Sequence, residues 1–325
     1  MNIYLSHIFP GDPAAVFPPD WQIRTNPYGR APTPDEARAL LADIDGAVCA
    51  SHRMDAAIID AAPRLKVICC YGAGSDHIDI AHATRRGIVV ANLPDEVTAS
   101  TAELTWSLIL SAARRIAEAD RLVRRQARFT PSVTLMLGTH LAGKCLGVIG
   151  LGRIGAAVAR KAAAFDMSVI YHDSRRNLAA ETASGAVFAP FDAVLANADV
   201  LTIHVPLLPE TRHLIDEAAL DRMKPGAILI NASRGPVVDE PALIRALSQG
   251  KIRAAGLDVY ENEPEVPAAL REMDQVVLTP HIGTSTLESR CSMTAAACRS
   301  ILAVLSGQRP GHIVNPQVYA QAGPD

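Results

Sequence analysis

No run of 18 or more apolar residues occurs anywhere in the chain, so no segment reads as a transmembrane helix. The first residues, MNIYLSHIFPGD, lack a basic stretch followed by a long apolar one and read as a first strand, not a signal peptide. There is no short-period repeat and no low-complexity tract. No two cysteines are spaced CxxC. Cys49, Cys69, Cys70 and Cys145 sit inside apolar strand-like runs, with Cys291 and Cys298 elsewhere. That pattern excludes a zinc site or a disulfide framework and predicts reduced thiols in a cytoplasmic protein with no metal. Neither sign of charge dominates. The net charge of -3 argues against nucleic acid as the main partner. What is present is ordinary for a soluble globular protein: 49% hydrophobic and 20% charged residues in 325. That length suits roughly two domains.

Along the first hundred residues short apolar runs alternate with helical periods. IYL (3–5), GAVCA (46–50), KVICCYG (66–72) and IVVAN (88–92) read as strands; 34–44, 55–62 and 80–87 read as helices. Such alternation predicts a parallel sheet with helices on its faces. A long helix is expected over 99–126, apolar through Ala102, Leu104, Trp106, Leu108, Ile109, Ala112, Ala113, Ile116 and Ala119. A second alternating series starts at Cys145, with strands at 145–150, 167–173, 200–206, 227–233, 254–259 and 276–280. A last apolar helix covers 285–306. The fold class is α/β, with two Rossmann-like or flavodoxin-like domains.

The segment Gly150-Leu151-Gly152-Arg153-Ile154-Gly155 lies where a strand ends and a helix begins. In that context the first glycine makes the tight turn, the second admits a pyrophosphate to the backbone, and the third lets helix and strand pack closely. The helix start supplies N–H groups for the phosphates. Asp173, at the end of the next strand, is placed to accept from the adenosine ribose hydroxyls, which favours NAD. Ser174, Arg175 and Arg176 follow it, and arginines there would suit the 2′-phosphate of NADP.

Three further strand ends carry polar groups: Arg234 in NASRG, Asp258 with Glu261, Glu263 and Glu265 in GLDVYENEPE, and His281 in TPHIG. Ligands bind outside the carboxyl ends of such strands. Reduction of a 2-oxo acid needs a hydride and a proton. A protonated histidine supplies the proton, an arginine forks the carboxylate and polarises the carbonyl, and a carboxylate beside the histidine favours its charged form. Composition and spacing leave open which glutamate does this, and whether His281 is merely a structural loop histidine.

On GLGRIG, HVPLLPETRHLI (204–215), INASRGPVVDE (230–240), AAGLDVYENEP (254–264) and TPHIGTST, the chain resembles the D-isomer-specific 2-hydroxyacid dehydrogenases, in particular glyoxylate and hydroxypyruvate reductases. The resemblance implies a cofactor domain at 100–287 inserted into a substrate domain made of 1–99 and 288–325, with the active site between them. It implies Arg234, Glu263 and His281 as the catalytic set, so it selects Glu263 from the three glutamates. YGAGSDHID (71–79) resembles the family's substrate loop, which implies that the N–H groups of Ala73 and Gly74 bind the substrate carboxylate beside Arg234. Cofactor contacts are implied for Thr101, His204, Val205, Pro206, Thr211, Ala232, Arg234, Asp258, His281 and Gly283, with Asp258 accepting from the nicotinamide carboxamide and His204 packing at a strand end. Where many such reductases carry tryptophans, this chain has Phe129, Leu135 and Met136. Substrate choice is expected to lie in these residues and in the loops 51–54 and 70–74, with 2-ketogluconate as an alternative substrate. A cofactor-sensing corepressor is the alternative of a different class. The apolar helix from Ser100 and SVTLMLG (132–138) suggest a homodimer.

Overall fold

Runs that alternate every second residue between two buried faces become strands when helices cover both sides. In the computed structural model, which describes residues 1–30, 32–50, 52–126 and 128–321, such strands build two sheets in two compact units. One unit is Met1–Val97 together with the chain from Thr284 onward; the other is Thr98–Gly283.

The first unit has β1 (Asn2–Leu5), β2 (Gln22–Thr25), β3 (Gly46–Cys49), β4 (Val67–Cys70) and β5 (Val89–Ala91). They pair in parallel in the order β2-β1-β3-β4-β5. Ala47, Cys49, Ile68 and Cys70 share a core with Leu41, Ile58, Ile59 and Ala83 from three short helices. Gly46 faces the helix Leu287–Leu305, where an added Cβ would sit 2.7 Å from Ile301. Asn315, fully buried, accepts from the Val90 N–H at 2.7 Å and donates to the Ile88 carbonyl at 2.9 Å, tying the returning chain to β5. The edge strand β2, QIRT, was not expected from the sequence.

The second unit has β6 (Cys145–Ile149), β7 (Ser168–His172), β8 (Val187–Phe188), β9 (Val200–Ile203), β10 (Ala227–Asn231), β11 (Ile252–Leu257) and β12 (Val276–Leu278). All are parallel, in the order β12-β11-β10-β9-β6-β7-β8. The chain winds outward from β6 through β7 and β8, then returns to β9, so the order reverses between β6 and β9. That reversal opens a crevice at the carboxyl ends of the strands.

The expected continuous helix over 99–126 is two helices, Thr98–Arg114 and Ile116–Arg125. Arg115 between them is left-handed at φ 55. The cause lies outside the helix: Thr139 N–H donates to the Ala113 carbonyl at 2.7 Å. Gly138 approaches so closely that a Cβ there would lie 2.5 Å from the same oxygen. The first helix buries Trp106, Leu108, Ile109, Ala112 and Ala113 as its period predicts, whereas Ile116 is exposed and the second helix buries nothing.

All six cysteines are free. Burial pushes the Cys70 and Cys298 thiols up to about 12, so neither offers a thiolate near neutral pH. Among the described residues no helix is long and apolar enough to cross a membrane, and no group of His, Cys, Asp and Glu is arranged to hold a metal ion.

Candidate active site

The glycine loop follows β6 at the strand-order reversal. Gly150 has φ 91, and a Cβ there would meet the His204 backbone and Val205 Cγ1 at 2.9 Å, so the ends of β6 and β9 abut. A Cβ on Gly155 would fall 2.0 Å from the Gly150 carbonyl oxygen. Only glycine lets the helix Arg153–Lys161 start this close to the strand it leaves. Gly152 differs: it is exposed, and a Cβ there meets nothing within 4 Å. It is the N-cap of that helix and has no side chain to cap it. A helix start behind an open glycine fits a dinucleotide pyrophosphate. Arg153 is exposed, and Ile154 packs partly into the core.

Asp173 Oδ2 accepts from Leu151 N–H at 2.8 Å, which holds this carboxylate against the loop, and Ser174 Oγ donates to Oδ1 at 3.2 Å. The two arginines that follow have different surroundings. Arg176 donates to Glu181 at 2.6 and 3.0 Å and lies over the Phe188 ring. Arg175 is exposed. His204 is pushed by burial down to about 3, so it is a neutral ring whose Nε2 meets Thr202 Oγ1 at 2.9 Å. It can serve packing but not as an acid near neutral pH. Thr211 closes its own loop by donating to the Pro206 carbonyl at 2.6 Å.

Arg234, Glu263 and His281 stand after β10, β11 and β12, three neighbouring strands of the sheet that carries the glycine loop. His281 Nδ1 and Glu263 Oε2 are 2.8 Å apart, with half of the His281 side chain open to solvent. Burial would raise the Glu263 carboxyl, but the His281 hydrogen bond and charge, the Tyr260 N–H and Arg234 together hold it below the ordinary range. With Nδ1 engaged by the carboxylate, Nε2 is left to exchange a proton with a ligand. His281 is left-handed at φ 54, a conformation a histidine adopts more readily than most residues but still at some cost.

The other glutamates are placed elsewhere. Glu261 meets His213 Nε2 at 2.7 Å, and Glu265 is exposed. Glu240, buried at the start of the helix Glu240–Ser248, accepts from the Glu261 N–H at 3.3 Å, and burial raises its carboxyl. The sequence reading did not single it out.

Asp258 is 1% exposed and serves mainly the His281 turn. Its carboxylate accepts from Thr279 Oγ1 at 2.6 Å, Ile282 N–H at 2.8 Å and Gly283 N–H at 2.9 Å, and its carbonyl accepts from His281 N–H at 2.8 Å. Burial raises its carboxyl while these donors oppose the rise. A carboxylate offers about four lone-pair sites, so little acceptor capacity remains for a carboxamide. Thr101 is buried beside Gly283. Ala232 is buried at the end of β10. Asn231, also missed from the sequence, donates to the Arg234 carbonyl at 2.9 Å and accepts from Ser233 N–H at 3.0 Å, so it shapes the arginine loop.

Ala73 and Gly74 belong to the other unit. Asn92 Nδ2 donates to the Ala73 carbonyl at 2.8 Å, while among the described residues neither Ala73 nor Gly74 N–H has an acceptor. Of the expected specificity segments, Ser51 lies outside the described residues. Phe129 and Leu135 are exposed, and Met136 is left-handed at φ 53.

Over residues 106–283 the chain matches the family described as D-isomer specific 2-hydroxyacid dehydrogenase, NAD binding domain. A glyoxylate reductase of Thermofilum pendens is 44% identical over 291 residues, 88% of this chain and 86% of that protein. Among solved structures, the TT0316 protein of Thermus thermophilus superposes with a TM-score of 0.90 at 36% identity, covering 97% of this chain and 100% of that one. An NADPH-dependent glyoxylate/hydroxypyruvate reductase of Sinorhizobium meliloti does so with a TM-score of 0.83 at 30% identity, covering 96% and 97%. The chain belongs to the D-isomer specific 2-hydroxyacid dehydrogenase family, oxidoreductases that use a nicotinamide cofactor.

Proposed function

We propose that the protein interconverts a small 2-oxo acid and its D-2-hydroxy acid, with glyoxylate or hydroxypyruvate as the substrate. The observation that carries this reading is the His281–Glu263 pair, 2.8 Å apart on the sheet end that also bears the glycine loop. When bound, the nicotinamide supplies or takes up hydride. His281 Nε2 gives the carbonyl oxygen its proton in reduction and recovers it in oxidation. Ionised Glu263 stabilises the imidazolium, and Arg234 holds the substrate carboxylate and draws charge from the carbonyl. A kcat/KM panel of glyoxylate, hydroxypyruvate, pyruvate and 2-ketogluconate with NADH and NADPH tests the reading. A folded protein that binds NADH and turns over none of them would overturn it in favour of a cofactor-sensing role.

The preferred cofactor is NAD. Asp173, held toward the loop by Leu151 N–H, repels a 2′-phosphate, and Arg176 is engaged by Glu181. Asp173→Ala should raise kcat/KM with NADPH relative to NADH by about tenfold, roughly 1.4 kcal/mol. A wild type already preferring NADPH tenfold contradicts the assignment.

The working form is a homodimer, assembled in the cytoplasm. Val133 is 96% exposed and Leu137 58%, on the segment that follows the exposed Ile116–Arg125 helix. A monomer gains nothing from leaving so many apolar side chains in water. Light scattering at micromolar concentration should give the dimer mass, and Val133→Glu with Leu137→Glu should halve it; a monomeric wild type ends the idea.

A further inference from the structure

Tyr260 touches all three loops that bear the proposed reacting side chains. Its backbone N–H donates to Glu263 Oε1 at 3.0 Å. Its phenol, on a ring only 5% exposed, donates to the Thr279 carbonyl at 2.9 Å, two residues before His281. Its own carbonyl lies against the arginine loop: a Cβ on Gly235 would fall 1.8 Å from the Tyr260 oxygen. A phenylalanine would fill the same core position among Leu257, Val237 and Leu270. The hydroxyl therefore adds nothing to apolar packing, and its one short bond goes to the backbone that enters the His281 turn.

We propose that Tyr260 is a positioning residue for the reaction, its phenol fixing the His281 turn in register with the Glu263 carboxylate that its N–H already holds. The inference rests on the proposed reduction of 2-oxo acids. The His281 turn is left-handed and bends sharply after Pro280. Asp258 holds that turn at Ile282, Gly283 and the Thr279 hydroxyl, and Leu257 accepts from the Thr279 N–H; the phenol adds a hold on the Thr279 carbonyl, which also accepts from His281 N–H at 3.1 Å. Without the phenol the Thr279 carbonyl can turn within those bonds, and a shift of a few tenths of an ångström lengthens the 2.8 Å His281–Glu263 bond. Substrate capture by Arg234 does not depend on that bond.

Tyr260→Phe in the full-length protein tests this. With NADH saturating, kcat for glyoxylate should fall about three- to tenfold while KM changes less than twofold, and the alkaline limb of the kcat/KM profile should move to lower pH. A double-mutant cycle with Glu263→Gln should be non-additive, because both changes weaken one contact. Melting and NADH binding establish that the variants are folded. Thr279→Ser, which keeps the hydroxyl bonded to Asp258 but loosens the β-branched backbone receiving the phenol, provides a second route to the same signature should Tyr260→Phe melt. An active wild type whose Tyr260→Phe variant keeps kcat and the limb, or whose cycle is additive, overturns this inference alone. A folded wild type inert toward every 2-oxo acid overturns the proposed function and this inference with it.

Discussion

Replacing His281 with alanine should cut 2-oxo acid reduction by a factor on the order of 10² to 10⁴, in a protein that still folds and binds NADH. Its side chain is half exposed and its ring bonds to Glu263, so the fold loses little with it. The companion variant is Glu263→Gln, which keeps the size and a hydrogen bond but removes the charge. The sign follows from the pair. Glu263 is held below the ordinary carboxyl range, so it is ionised throughout the neutral region and stabilises the imidazolium. Removing that anion makes the imidazolium easier to deprotonate. The alkaline limb of the reduction profile should therefore move to lower pH. In the oxidative direction, where neutral imidazole is needed, activity should persist to lower pH. The measurement is kcat/KM against pH in both directions, with cofactor saturating. An unmoved limb in Glu263→Gln would place the proton donor elsewhere. Arg234→Ala should instead damage KM and kcat together, since one group serves both binding and polarisation.

The second large effect separates two glycines of one loop. Gly155→Ala should cost both the fold and the cofactor. Its Cβ would lie 2.0 Å from the Gly150 oxygen, and Gly150 is itself fixed by φ 91 and by the His204 backbone. No flexible side chain stands in the way to yield, so the loop must open. Overpacking of this kind costs about 1–3 kcal/mol, and NADH should bind at least about 10²-fold more weakly, roughly 2.7 kcal/mol. Gly152→Ala should leave the melting temperature where it was, because its Cβ meets nothing within 4 Å. It should nonetheless weaken NADH, since that open space is where a pyrophosphate would approach. Fluorescence titration with NADH and a thermal melt on both variants decide the matter. A Gly152→Ala protein that binds NADH like the wild type would mean the loop is a tight turn and no more.

Much of this was legible in the residues. The buried strands were, because GAVC, VICC and the AILI of AILIN are apolar runs flanked by turn residues. The glycine loop was, because strand, glycines, helix and acidic residue occur in order. The edge strand QIRT was not, since three of its four residues are polar. The break at Arg115 was invisible because a chain segment 24 residues further on captures the Ala113 carbonyl. Hydrogen bonds to backbone oxygens escape a sequence reading in the same way. Asn231, Tyr260 and the turn-binding role of Asp258 all depend on which carbonyl or N–H the fold brings near. Among the glutamates, spacing alone could not separate Glu261 from Glu263; their different histidine partners do.

The two units make different demands on synthesis from the N-terminus. Residues 98–283 are continuous, so that unit has its whole sheet once the ribosome has passed β12. The first unit does not. Its five strands are made first, yet the face of β3 that Gly46 opens is covered only when Ile301 arrives, and the end of β5 is tied to the returning chain only when Val314 and Asn315 arrive. For some two hundred residues of translation an apolar sheet waits for its last helix. Transiently bare strands of this kind are where aggregation begins. A chain cut short before Leu287 should therefore keep a cooperatively folded cofactor unit and carry a sticky, half-covered neighbour.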